Sequence, residues 1–251
     1  MLGEVGNNIK IFTRIFHMKN YARQLGAAAL LVTLLLTCVS GCNVIGAFAQ
    51  AMPDPPIAAA YSGLKDQTVG VMVWVDHGAS IDYPMLQSEV AKGLTTKLSE
   101  LTMPADKKTK PIPELMGIRY RDPLEIIKFQ ENHPELEGMP PKDLAVRLGV
   151  TRVIYIEITD FALHSPESPD VLKGLVAANV QVLEVTPGPH KVATIAYSDP
   201  NMDSNYPKEQ SGVPYEDATP DKVYKKTVDV FTTDLVLKFF KHPSDYDKAN
   251  G

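Results

Sequence analysis

The residue types that could do chemistry in this 251-residue chain are Cys38 and Cys42, the Asp76-His77 pair, and Asp160. Two cysteines so close together suit a redox pair or half of a metal site. A histidine between carboxylates suits a general base or a metal ligand, so Asp76, His77 and Asp160 together could serve a hydrolase or a metal-dependent enzyme. Asp76 and His77 follow the apolar run Val69 to Val75, and Asp160 follows Ile154, Ile156 and Ile158. Both places are the carboxyl ends of expected strands, where open α/β sheets collect ligands. The alternative is local: Asp-His-Gly and Thr-Asp-Phe turn the chain at the sheet edge. No second histidine stands at ligand spacing, and His133, His164, His190 and His242 each lie beside or near proline. The chain has no G-x-S-x-G elbow, no phosphate-binding G-x-x-x-x-G-K-[ST], no H-E-x-x-H and no G-x-G-x-x-G. The leading expectation therefore assigns no catalytic residue, no metal and no cofactor, and keeps the enzyme through Asp76, His77 and Asp160 as its alternative.

The cysteines belong to another context. Leu25 to Val39 is a nearly unbroken apolar run, preceded by Lys19 and Arg23 and followed by Ser40 and Gly41. That order is the order of a secretory signal. At about 15 apolar residues the run is short for a membrane span, which needs about 20. Val39-Ser40-Gly41-Cys42 resembles a bacterial lipobox, which is cut just before a cysteine that carries diacylglycerol. The resemblance implies that residues 1–41 are a lipoprotein signal peptide and that Cys42 becomes the lipidated first residue. Met18 would be the true start of a signal of ordinary length. Acylation in addition, with a palmitate-like chain, would make attachment stable, because one lipid chain anchors only marginally. Cys38 would leave with the signal. The mature chain would then hold one cysteine, consumed by lipid, so neither a disulfide within it nor a thiol nucleophile is available. Loss of Lys10, Arg14, Lys19, Arg23 and Glu4 takes the 25 basic and 30 acidic residues to 21 and 29, a net charge of about minus 8. Nothing basic remains to bind nucleic acid or an anionic lipid surface. The membrane partner would be met through lipid on Cys42. Asn43 rather than Asp favours the outer membrane where sorting follows the enterobacterial rule, with the domain facing the periplasm.

The elements that must position Asp76, His77 and Asp160 follow from period and punctuation. Residues 42–67 read as a lipidated N-terminus and flexible tether, with Pro53, Pro55 and Pro56 and no lasting period. The domain spans 68–241 and a tail 242–251. Val69 to Val75 suits a strand buried on both faces. After a turn-like HGAS, Leu86, Val90, Leu94, Leu98 and Leu101 fall on one helical face. A short strand is expected between Ile112 and Tyr120. Asp122-Pro123 opens a helix that stops before Pro134, and Pro140-Pro141 opens another that Gly149 closes. Arg152 to Phe161 alternates as a strand. Leu175 to Val185 and Lys191 to Tyr197 form a hairpin through Thr186 to His190. A final helix begins at Thr219-Pro220, carries Tyr224, Val228, Phe231, Leu235 and Phe239 on one face, and runs to about Lys241. Ser198 to Pro220 reads as a large surface loop. The class expected is α/β (α+β): a single mixed β-sheet with flanking helices, in the order β-α-(β)-α-α-β-β-β-α.

DLAVRLGVTRVIYIEITDF, followed by VQVLEVTPGPHKVATIAY, resembles the core shared by the curli-secretion lipoprotein, the penicillin-binding-protein activator lipoproteins and the N-terminal domain of the Tol-Pal propeller protein. The resemblance rests on a helix ending at Leu-Gly, a strand of branched residues, and a strand that ends in a Thr-Gly-like bend. Here Thr-Pro-Gly-Pro replaces the simpler turn, and the 198–220 segment is long. Members of that group act by binding and assembly, so the resemblance implies an envelope protein partner and carries over no active site. A pore of the curli-secretion kind would need strands of about ten alternating residues. The two long loops that could supply them, Ala162 to Gly174 and Ser198 to Pro220, hold proline and acidic residues instead. Tyr206 and Tyr215, among Asp203, Glu209, Glu216 and Asp217, are the expected partner contacts, unless they fold back over the core.

Overall fold

Thr68–Val75 forms β1, with Val69, Val71 and Val73 pointing into one core and Met72 into another. Burial on both faces is what an apolar run without alternation requires. The structure is a computed structural model that describes residues 55–103, 110–165, 168–208, 212–244 and 246. The expected signal, Cys42 and the tether as far as residue 54 lie outside the described residues. The other strands are β2 (Arg119–Tyr120), β3 (Arg152–Ser165), β4 (Ser168–Thr186), β5 (Val192–Tyr206) and β6 (Val213–Pro214). Among the described residues they make a six-stranded sheet of order β2-β1-β3-β4-β5, with β6 pairing β4. β1 runs parallel to β2 and β3, whereas β4 is antiparallel to β3, β5 and β6. The fold is therefore α/β with a single mixed sheet.

The helices are α1 (His77–Asp82), α2 (Leu86–Thr102), α3 (Pro123–Asn132), α4 (Pro141–Arg147) and α5 (Pro220–Leu237). Two helices start as the sequence suggests. The Asp122 carboxylate accepts from the Leu124 N–H at 2.9 Å, and the Thr219 hydroxyl from the Lys222 N–H at 3.3 Å, each with proline next. These caps satisfy N–H groups that a helix start leaves without partners. Leu86, Val90, Leu94 and Leu98 of α2 and Val228, Phe231 and Leu235 of α5 join Val69, Ile154, Ile156 and Ile158 in the larger core. Lys97 Nζ and the Asp229 carboxylate link the two helices at 2.6 Å. Ile126, Leu144 and Leu148, from α3, α4 and the residue after it, share the smaller core with Met72, Val153 and Leu183.

Three expectations need correction. HGAS is helical, not a turn: it opens α1, with Asp76 as its cap. Ala162 to Gly174 is strand except at positions 166 and 167, which lie outside the described residues, and Ser198 to Tyr206 is strand throughout. The alternation of β3 is broken by a bulge, because Ile158 faces Ala178 while Asp160 faces Ala177. The extra residue shifts the phase, so that Phe161 and Leu163 continue the buried face of Ile154, Ile156 and Ile158. Pro200 lies where the register slips between Ala178↔Met202 and Val180↔Asp199. An irregular edge strand is a place where proline is tolerated. The third correction concerns the tether. From Pro55 on it docks: Ile57 and His242 exchange backbone hydrogen bonds at 2.8 and 3.1 Å, and the Ala60 and Tyr61 N–H groups both donate to the Lys238 carbonyl. Leu64 is fully buried, and so is most of His242 in the expected tail. A segment held by isolated bridges has no period to betray it.

Candidate functional site

Asp76 extends the pairing of β1 with β3, its N–H donating to the Ile158 carbonyl at 2.9 Å. Its carboxylate accepts from the Gly78 N–H at 2.8 Å, which starts α1. His77 is exposed, and its carbonyl accepts from the Ser80 hydroxyl at 2.8 Å. Asp160 is exposed at the bulge opposite Ala177. Among the described residues no hydrogen bond or ion pair joins the three, and no group of three or more His, Cys, Asp or Glu could hold a metal ion. What Asp76 does is cap a helix, where the sequence offered a turn as the local alternative.

The carboxyl end of β1 nevertheless has a cavity, of about 300 Å³. It exists because β2 pairs only with Thr68 and Val69, leaving the upper edge of β1 without a strand beside it. Side chains stand in for that strand: the amides of Gln87 and Gln130 both donate to the Val73 carbonyl, at 2.8 and 3.0 Å. Gln130 is 5% exposed, and among the described residues its amide oxygen has no hydrogen-bond partner. The buried indole N–H of Trp74 likewise has none. His77, Tyr83, Glu131 and Glu137 also line it. Tyr83 packs edge-on against Phe161 at 4.6 Å and stacks on Tyr224 at 5.6 Å. Burial first, then the nearby Asp82 charge, push its phenol above the ordinary range. Sequence reasoning reached this end of β1 through His77 but missed Trp74, Gln87 and Gln130, which converge from a strand and two helices. The single tryptophan, placed inside an apolar strand, was the one available signal.

A second cavity, of about 660 Å³, lies between β5, α5 and residues 57–60. Its charges are largely matched: Lys208 meets Asp234 at 2.6 Å and Lys238 meets Asp199 at 3.1 Å. The Ser204 hydroxyl also donates to Asp234, at 2.7 Å. The expected partner contacts separate. Tyr206 is the last residue of β5, opposite Gly174, and packs half-buried against the larger core. Tyr215 stays 50% exposed, with its hydroxyl 3.1 Å from His164 Nδ1 and the two rings stacked at 5.9 Å.

Fold and cavities together define an α/β domain with helices on a mixed sheet, a charged groove beside its edge strand and an aromatic-walled cavity at the end of β1. The sequence matches no protein-family model and no curated protein. Among solved structures it is similar to PelC dodecamers from Paraburkholderia phytofirmans in two crystal forms. These are 6% and 7% identical with TM-scores of 0.38 and 0.35, each match covering 74% of this chain and 97% of that one. It is also similar to the lipoprotein GNA1162 from Neisseria meningitidis, at 11% identity and a TM-score of 0.34, over 57% of this chain and 87% of that one. The hypothetical protein CT253 from Chlamydia trachomatis is 15% identical with a TM-score of 0.33, over 73% and 98%.

Proposed function

We propose that this chain is an envelope lipoprotein, anchored through Cys42, whose α/β domain binds or helps assemble another cell-envelope component. The observation that carries the reading is the sequence Val39-Ser40-Gly41-Cys42 directly after a basic flank and a short apolar run. Among the described residues no helix is long and apolar enough to cross a membrane, and attachment through lipid needs none. On this reading residues 1–41 are the signal, Cys42 carries the lipid, the domain faces the periplasm, and the outer membrane is the destination. Tyr215, exposed and braced by His164, is the partner contact retained from the sequence, whereas Tyr206 packs against the core.

Crosslinking and affinity capture of the intact lipoprotein are expected to recover a reproducible envelope protein, with recovery reduced by Tyr215→Ala. Recovery of nothing specific would count against the binding role. A hydrolytic or metal-dependent role through Asp76, His77 and Asp160 predicts instead that His77→Ala and Asp160→Ala fail to complement a deletion strain; the binding role predicts full complementation.

A further inference from the structure

We propose that residues 55–60 are a detachable strap: peeled from the body as far as Tyr61, they lengthen the link to the membrane and remove one wall of the cavity between β5 and α5. The strap stands on contacts within the domain, and only its link to a membrane rests on the anchor reading.

Composition makes the strap weakly held. Pro55-Pro56-Ile57-Ala58-Ala59-Ala60 has no polar side chain, and its two prolines have no N–H to donate. Alanine buries little apolar area, and Ile57, the one large aliphatic side chain, is 49% exposed. All six residues except Ala59 are exposed. Among the described residues three backbone hydrogen bonds hold the segment. Ile57 and His242 exchange two, at 2.8 and 3.1 Å, and the Ala60 N–H donates to the Lys238 carbonyl at 2.8 Å. Few buried apolar contacts and exposed backbone bonds mark a segment that opens locally, far below the cost of global unfolding.

The places where the peel stops are firm. Tyr61 is 9% exposed, its phenol bonded to Glu184 and to Arg152 at 2.9 Å each, and Leu64 after it is fully buried. Across the bridge, His242 is 7% exposed, with its ring edge-on to Phe240 at 5.7 Å and to Tyr246 at 6.2 Å. The strap therefore leaves and the tail stays.

Opening has two consequences. Six residues at about 3.5 Å each add roughly 20 Å to the reach of the chain that leads to Pro55. Ile57, Ala58 and Ala60 also leave the lining of the cavity of about 660 Å³, which keeps the ion pairs of Lys238 with Asp199 and of Lys208 with Asp234. Extension of the link and access to the charged groove are thus one event. Whatever draws the domain away from its anchor also opens the groove.

Residue-resolved hydrogen exchange on the full chain in detergent tests the strap. The Ile57, Ala60 and His242 amides are expected to be at least about a hundredfold less protected than that of Ile156, in β3 between β1 and β4. Ala60→Pro removes one donor at an exposed position. It is expected to lower protection at Ile57 and His242 by about fivefold and to leave Ile156 and the circular dichroism unchanged. Hydroxyl-radical footprinting reads the cavity. Met202, 4% exposed on its lining, is expected to oxidise about fivefold faster in Ala60→Pro, with Met72, fully buried in the smaller core, as the unchanged reference. Protection at Ile57 and His242 equal to that at Ile156, indifference of His242 to Ala60→Pro, or an equal loss at Ile156 in that variant would overturn the strap. Met202 oxidation that does not respond would overturn its role as a wall. None of these readings needs lipid on Cys42, so a failed strap and a failed anchor are told apart.

Discussion

At Asp76 a carboxylate with the right chemistry for a base serves as the acceptor that begins α1. Capping and catalysis make different demands on the side chain, since asparagine caps a helix about as well as aspartate but cannot act as a base. Asp76→Asn is therefore expected to leave stability within a few tenths of a kcal/mol and Asp76→Ala to lose about 1 kcal/mol, read by urea denaturation. Tyr61 shows burial at the same scale. Its phenol donates to Glu184 at 2.9 Å and accepts from Arg152 Nε at 2.9 Å, which holds the leading segment on the sheet. Burial first, and then that bond to Glu184, push its pKa from 10.0 to about 12; burial likewise leads at Tyr120, Tyr155 and Tyr197, also pushed up to about 12. A raised folded value means that these phenols contribute full stability below pH 10 and lose it as pH rises towards 12, because the unfolded chain ionises first. Denaturant midpoints should accordingly fall between pH 10 and 12, less steeply in Tyr61→Phe. A midpoint flat across that window would contradict the burial of these rings.

Elements were legible wherever period and caps agreed. α2, α3 and α5 announce themselves through one apolar face or through Asp122-Pro123 and Thr219-Pro220. The distal halves of β3, β4 and β5 were not legible, because bulges near Thr159 and Pro200 break the alternation on which strand reading depends. The pairing itself persists through them. The backbone amide of Val176, in β4 between Phe161 of β3 and Ser204 of β5, is thus expected to be protected in hydrogen exchange, whereas a surface loop would exchange fast. Gly174 tests the same region by packing. A Cβ there would overlap Thr227 of α5, so Gly174→Ala is expected to destabilise by about 1–3 kcal/mol in thermal or chemical unfolding. An unchanged midpoint would mean that α5 does not lie across β4 as described.

For the whole molecule, the class was readable because a parallel pair joined through helices, followed by antiparallel hairpins, admits few arrangements. The docking of residues 55–64 was hidden, since it depends on single bridges and on Tyr61 meeting Arg152 and Glu184 far along the chain. The candidate chemistry was half legible. His77, named from the sequence, lines the cavity at the carboxyl end of β1, but Trp74, Gln87 and Gln130 line it too, and no sequence spacing connects them. Of the proposals made for the chain, the anchor is the one on which location and the search for a partner both depend. Mass spectrometry of the amino terminus of protein purified from its own membrane tests it most directly. The account predicts a mature chain that begins at Cys42 with diacylglycerol and a further acyl chain attached. A chain that retains residues upstream of Cys42, or an unmodified Cys42, would contradict it.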